Sequence, residues 1–96
     1  MVKHVVCFKL KDNSPEKCDE AKQLLLSMQG RVPQLRGISV DVDFLHSARS
    51  YDVMLTVLVD SVQALEAYQQ DPYHCGTVKP YMHAVRSDSI AVDALV

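Results

Sequence analysis

The sequence contains no tryptophan, only three glycines and only three cysteines. The glycines are scattered along the chain, so none of them belongs to a glycine-rich phosphate-binding loop. Cys7, Cys18 and Cys75 are odd in number and have no C-x-x-C spacing, which argues against a disulfide framework and against a structural zinc site. We therefore expect free thiols, no metal and no cofactor.

An excess of charge of one sign and a long apolar run are also missing. The formal net charge is −2, and Lys and Arg are interspersed with Asp and Glu, so the chain lacks the basic surface typical of nucleic-acid-binding proteins. Its longest apolar runs, such as VVCF and VMLTVLV, are far shorter than the ~20 residues that cross a bilayer, and the N-terminus does not resemble a signal peptide. We expect a cytoplasmic protein with neither nucleic-acid nor membrane partners.

What the chain does contain is the pattern of one small domain, residues 1–96, in which roughly two thirds of the unfolded surface becomes buried. Residues 2–10 and 50–60 are apolar on both parities, which predicts central strands that are covered on both faces. Residues 38–45 alternate between apolar and polar side chains, which predicts an edge strand with one wet face. Residues 86–94 alternate weakly and predict a fourth strand.

The first helix follows the first strand. Ser14 is suited to cap it, Pro15 to occupy its first position, and Gly30 to end it. Apolar residues recur on its inner side at helical spacing, namely Cys18, Ala21, Leu25 and Met28.

A second helix follows the third strand. Asp60 is expected to cap it, with Gln63 completing a capping box. Asp71 should end it, because the residue before a proline avoids the helical region. A shorter helical piece can begin at Pro72, and Pro80 should kink or end that piece.

The resulting order βαββαβ predicts an α+β fold of the ferredoxin-like kind. Its four-stranded antiparallel sheet has the spatial order 4-1-3-2, with both helices on one face. The other face would then expose Val5, Cys7, Met54 and Leu58, an apolar patch larger than soluble monomers usually carry. We expect a homodimer in which a second copy covers this helix-free face.

Three segments give the sequence a specific resemblance. VKHVVCFKL, YDVMLTVLVDSVQALEAY and DPYH together resemble the stress-responsive A/B barrel family, also called Dabb, over nearly the whole chain. The resemblance implies a dimeric α/β barrel built from two four-stranded sheets, and it matches the family's strand His to His4 and its helix-end Tyr and His to Tyr68 and His74. In a plant branch of the family such a Tyr and His pair carries polyketide cyclisation. That branch has aromatic residues on the first helix and a histidine on the third strand, whereas this chain has Leu25 and Val53 there, which argues against that substrate.

The residues themselves predict a candidate site. His4 shares its parity with Val6 and Phe8 on a central strand, Tyr68 lies on the inner side of its helix, and His74 follows the helix junction. An imidazole can remove a proton next to a carbonyl while a phenol hydrogen-bonds the developing oxyanion, so a catalytic role for His4, Tyr68 and His74 is one hypothesis. The alternative is a structural role, with His4 and Tyr68 packed in the core and His74 capping a helix or facing solvent. The apolar residues expected to bind a ligand are Val6, Phe8, Leu25, Val53 and Leu55.

Three functions remain open at this stage. The first is a stress-response-type dimeric barrel that binds a small apolar ligand in a cleft between the sheet and the helices. The second is a cofactor-independent cyclase, isomerase or lyase that uses the Tyr68 and His74 pair. The third, a monooxygenase of the dimeric-barrel type, rests on analogy of fold alone.

Two other motifs are weak. The four histidines have no metal-ligand spacing, which argues against a metal site. Cys75 and His74 are adjacent, so their side chains would point apart on a helix, which argues against joint catalysis.

Overall fold

The structure, a computed structural model, describes every residue from Met1 to Val96. Its elements follow one another in the order β, α, β, β, α, α, β, and a π-helical turn precedes the last helix. They are β1 (Val2–Leu10), α1 (Pro15–Leu26), β2 (Gly37–Val42), β3 (Val53–Val59), α2 (Val62–Gln69), the π turn (His74–Val78), α3 (Lys79–Val85) and β4 (Arg86–Leu95).

The four strands form one antiparallel sheet in the order β2-β3-β1-β4. The two strands that are apolar on both parities, β1 and β3, lie in its centre, and the alternating strand β2 lies at an edge. In the register, Val6 of β1 is paired with Leu55 of β3 and with Ala91 of β4. The ferredoxin-like α+β fold predicted from the sequence is confirmed, with α3 as a third helix.

The main core lies between the sheet and the helices. Leu25 and Met28 from the α1 region, Val57 from β3 and Tyr68 from α2 are each completely inaccessible to solvent. Burying a large apolar side chain of this kind stabilises the fold by about 1.5 to 3 kcal/mol. The inner side of α1 that its helical spacing predicts is therefore the side that packs on the sheet.

Of the two helix caps predicted from the sequence, one is confirmed and the other is wrong. The Ser14 hydroxyl caps α1 by accepting a hydrogen bond from the Lys17 N–H. The prediction that Asp60 caps α2 is wrong, because the Ser61 hydroxyl accepts the Ala64 N–H at 3.1 Å. The Asp60 carboxylate instead forms an ion pair with Arg36 at 2.9 Å, a partner that is distant in sequence.

Two segment ends also differ from expectation. α1 ends at Leu26, and Gly30 lies in the turns that follow, where its φ of +83° is a conformation that glycine adopts without strain. β2 stops at Val42, so Phe44, which continues the alternation in the sequence, lies beyond the sheet and is 88% exposed.

The helical piece after Asp71 continues through Pro80 instead of ending there. A π-helical turn precedes α3, and the Lys79 N–H bonds to the His74 carbonyl across it. Pro80 therefore falls in the first turn of α3, where a missing N–H donor is tolerated.

None of the helices combines the length and the apolar character that a bilayer crossing demands.

The other side of the sheet, the helix-free face, carries apolar side chains from three strands. Cys7 is paired with Met54 and with Ile90, and Val5 is paired with Val92, so their side chains share this face. Met54, Ile90 and Val92 are 39%, 49% and 62% exposed. The single chain thus leaves one side of its sheet without a covering layer.

Candidate functional site

A cavity of about 190 Å³ lies between the sheet and the helical segments. β1 and β3 form its floor, Leu25 of α1 and Tyr68 and Gln69 of α2 line its inner wall, and the π turn, α3 and the first part of β4 form the opposite side. Seven of the residues predicted for the site line it, and Val53, although buried, does not. The seven are His4, Val6, Phe8, Leu25, Leu55, Tyr68 and His74.

His4 lies on the cavity floor and is 7% exposed. In the β1–β4 register it is directly opposite Asp93, and its Nδ1 atom is paired with the Asp93 carboxylate. A carboxylate acceptor fixes the proton of a neutral imidazole on Nδ1 and leaves Nε2 as the basic nitrogen. This strand pair therefore gives His4 a defined orientation, with Nδ1 paired to Asp93 and Nε2 without a partner.

Tyr68 packs between the imidazoles of His4 and His74. Its ring makes an edge contact with His4 at 5.8 Å between centroids and a tilted stack with His74 at 4.5 Å. Its hydroxyl donates weakly to Met28 Sδ at 3.8 Å. Burial, followed by the charge of Asp71, raises the pKa of the Tyr68 phenol, so the phenol is protonated throughout the physiological range.

His74 is positioned by the helix junction. The Asp71 carboxylate accepts the backbone N–H groups of Tyr73 and His74 at 2.9 and 3.1 Å, which ends α2 and starts the next helical segment. The His74 side chain is buried, and its Nδ1 atom has no hydrogen-bond partner. Burial and the nearby Lys79 charge lower the pKa of His74 against the opposing effects of the Gln69 backbone carbonyl and the Asp71 charge, so the imidazole is neutral at pH 7.

The open side of the cavity carries polar groups that the sequence argument did not single out. Lys79, His83 and Arg86 line it together with Met82, all from one side of α3 and its C-terminal end. Their spacing of three to four residues was the available signal, because such residues share a helix face. Asp93 was also missed, and only the β1–β4 register brings it to His4.

No three His, Cys, Asp or Glu side chains come together in an arrangement that could hold a metal ion. The three cysteines are free and distant from any shared site, with Cys18 buried, Cys7 half-buried and Cys75 exposed. Burial raises the pKa of the Cys7 and Cys18 thiols, which makes them poor nucleophiles at neutral pH. The chemistry of the cavity is thus that of three imidazoles, a phenol and a cationic edge.

Solved structures with the same fold include several dimeric proteins. A dimeric ferredoxin-like protein of unknown function from Thermobifida fusca has a TM-score of 0.84 and 21% identity, and the match covers 99% of this chain and 90% of that one. A Dabb family protein with a ferredoxin-like fold from Mesorhizobium loti has a TM-score of 0.72 and 16% identity, over 99% and 95% of the two chains. An antibiotic biosynthesis monooxygenase has a TM-score of 0.72 and 17% identity, over 100% and 98%.

At such low identity these structures show the shared fold alone. No curated protein sequence matches the chain significantly. The model of the stress responsive A/B barrel domain, however, matches residues 2–96. The chain therefore belongs to the stress responsive A/B barrel (Dabb) domain family.

Proposed function

We propose that the protein binds a small, predominantly apolar molecule in the cavity between the sheet and the helices. The observation that carries this proposal is a cavity of about 190 Å³ that combines an apolar floor of Val6, Phe8 and Leu55 with the buried imidazoles of His4 and His74. A few polar groups within an apolar lining can orient a ligand that the apolar groups bind. Half of the lining residues are hydrophobic, as is usual in small-molecule sites.

The size of the cavity limits the ligand. An apolar cavity of about 150 Å³ holds a benzene molecule, so this space of about 190 Å³ accommodates a single ring with a short side chain. Larger groups would extend through the open side past α3.

A titration with 4-butylbenzyl alcohol tests the proposal. Backbone amide signals of β1, α2 and the π turn should shift and saturate as the alcohol is added, as followed by NMR. Val6→Phe places a larger side chain in the cavity floor and should weaken this binding by about tenfold or more. Val62→Phe, on the exposed side of α2, is the matched control and should bind normally. An absence of saturable shifts up to the solubility limit would overturn the proposal.

Assembly is the second part of the proposal. A homodimer formed through the helix-free face would bury the exposed side chains of Met54, Ile90 and Val92. Contiguous apolar surface of this kind is rare on monomers, and the description of the Thermobifida fusca protein as dimeric supports a dimer here.

An enzymatic alternative is favoured by one observation, the Asp93–His4 pair inside a ligand-sized cavity. In this alternative the Nε2 atom of His4 takes a proton from a carbon next to a carbonyl, and the C–H electron pair forms an enolate. The oxyanion is then stabilised by a hydrogen bond from His74 or Tyr68, the pair predicted from the sequence.

Deuterium uptake by 4-phenyl-2-butanone in D₂O tests the enzymatic alternative. His4→Gln should lower the protein-catalysed rate by roughly a hundredfold or more. His46→Gln, on the exposed β2–β3 loop, is the matched control. Uptake no faster than in protein-free buffer would leave ligand binding as the function.

A further inference from the structure

The cavity has an electrostatic asymmetry that its apolar wall does not explain. Its open side carries two cationic side chains, Lys79 and Arg86, and the imidazole of His83. None of the residues that line it is acidic. The whole chain, by contrast, has a formal net charge of −2, so this positive edge is a local feature.

The two cations have no protein partner. The ion pairs of the chain join His4 to Asp93, Lys17 to Glu20, Arg36 to Asp60 and His46 to Asp43, and none involves Lys79 or Arg86. Neither side chain forms a hydrogen bond or lies over an aromatic ring, although both are only partly exposed. Partly buried cations without counter-charges are favourable positions for an anion.

The inner part of the same cavity gives a second, independent indication. Phe8, Leu55 and Met82 line it, and each is more than nine-tenths buried. A ligand held there therefore meets apolar walls along its body and cations at the opening.

We propose that the ligand of this cavity is a small amphipathic organic anion. Its apolar body lies against Phe8, Leu55 and Met82, and its carboxylate or phosphate oxygens lie at Lys79 and Arg86. The inference rests on the proposed function, because it assumes that the cavity takes a ligand at all. It adds the chemical class of that ligand and the residues that select it.

Three probes with one butylphenyl body test the inference: 4-butylbenzoate, 4-butylphenyl phosphate and the neutral 4-butylbenzyl alcohol. At low salt, at least one anion should bind the wild-type protein about tenfold or more tightly than the alcohol, as measured by calorimetric or NMR titration. This advantage should shrink when the salt rises from about 20 mM to about 500 mM, because exposed charge interactions are screened. The tighter of the two anions identifies the head group.

Charge-removing variants locate the effect. Lys79→Gln and Arg86→Gln should each weaken binding of the anion by roughly three- to tenfold and change binding of the alcohol by less than about twofold. Lys22→Gln on α1 and Arg49→Gln on the β2–β3 loop remove the same charges outside the cavity and should have no effect.

The outcomes separate the two proposals. If the alcohol binds as tightly as both anions, the charge preference is wrong while ligand binding stands. If none of the three probes binds, the proposed function fails and the preference fails with it. If the anions bind better but the Lys79 and Arg86 variants keep that advantage, these residues are not the head-group site.

Discussion

The Asp93 carboxylate on β4 holds the Nδ1 atom of His4 on β1, directly across one strand pair. The two residues are 89 positions apart in the chain, so the pair exists only once the outer strand has joined the sheet. Asp93 is 46% exposed whereas His4 is buried, so the pair extends from the protein surface to the cavity floor.

Asp93→Asn should change the imidazole tautomer of His4. The variant keeps the shape of the side chain but removes the charge that favours a proton on Nδ1. Nitrogen-15 NMR of the imidazole should show a larger fraction with the proton on Nε2, and stability should fall by less than about 1 kcal/mol because the carboxylate is half-exposed. Asp41→Asn, on the exposed edge strand β2, should leave the His4 signals unchanged. An unaltered tautomer in the Asp93 variant would contradict this role.

His74 should matter more than Tyr68 for a ligand that carries a hydroxyl. His74→Phe replaces an imidazole of the cavity lining by a ring that cannot hydrogen-bond a hydroxyl, and it should weaken 4-butylbenzyl alcohol binding by about threefold to tenfold. Tyr68→Phe removes only a weak contact with Met28 Sδ, so affinity should change by less than about twofold. Titration of both variants measures this. A larger loss in the Tyr68 variant would favour the hydrogen-bonding role predicted for that phenol from the sequence.

The buried His74 should make the protein less stable at mildly acidic pH. Its pKa is lowered in the folded state by burial, so the unfolded chain binds the proton first as the pH falls through about 6.5. Stability is then lost with decreasing pH, at no more than about 1.4 kcal/mol per pH unit for one proton. Urea unfolding between about pH 7.5 and pH 5.5, at fixed protein concentration, should show a smaller loss for His74→Phe than for wild type. His83→Gln, an exposed control, should behave as wild type.

Met54→Asp should prevent dimerisation. The substitution puts a carboxylate in the helix-free face, where a partner sheet would desolvate it without a counter-charge. Sedimentation velocity at micromolar concentration should show a dimer for wild type and a monomer or unfolded chain for the variant. Val62→Asp, on the exposed side of α2, should remain dimeric. A wild-type monomer would contradict the proposed assembly.

The features that follow from local pattern could be predicted from the sequence. β1 and β3 are apolar on both parities, and only central strands with covering layers require that. Ser14 and Pro15 have clear helix-start chemistry, and the structure uses both.

The errors arose where a distant partner decided between two local possibilities. Asp60 and Ser61 are both good caps, and the ion pair with Arg36 occupies Asp60 while the extended backbone of Ser61 makes it the cap. Phe44 continues the alternation of β2, but pairing with β3 ends at Val42 opposite Val53, so nothing covers Phe44.

The candidate site shows the same division. His4, Tyr68 and His74 could be brought together from strand parity, helix side and the proline junction, and all three line one cavity. The cationic edge and the position of Asp93 could not be predicted in this way. The cationic edge depends on how α3 packs, and the position of Asp93 depends on the register of a weakly alternating strand.

The π turn between His74 and Val78 has a consequence for insertions and deletions. Each residue of an α-helix turns the chain by about 100°, so a π turn holds one more residue than an α-helical path between the same two points. Deleting Thr77 would therefore let the turn become ordinary α-helix while its two ends keep their relative positions. Lys79 and Arg86 would then stay at the cavity mouth. A one-residue deletion within α3 has no extra residue to absorb it, and it would rotate the residues on one side of it by about 100° relative to those on the other. The π turn is thus a place where the chain can lose a residue without rearranging the cavity.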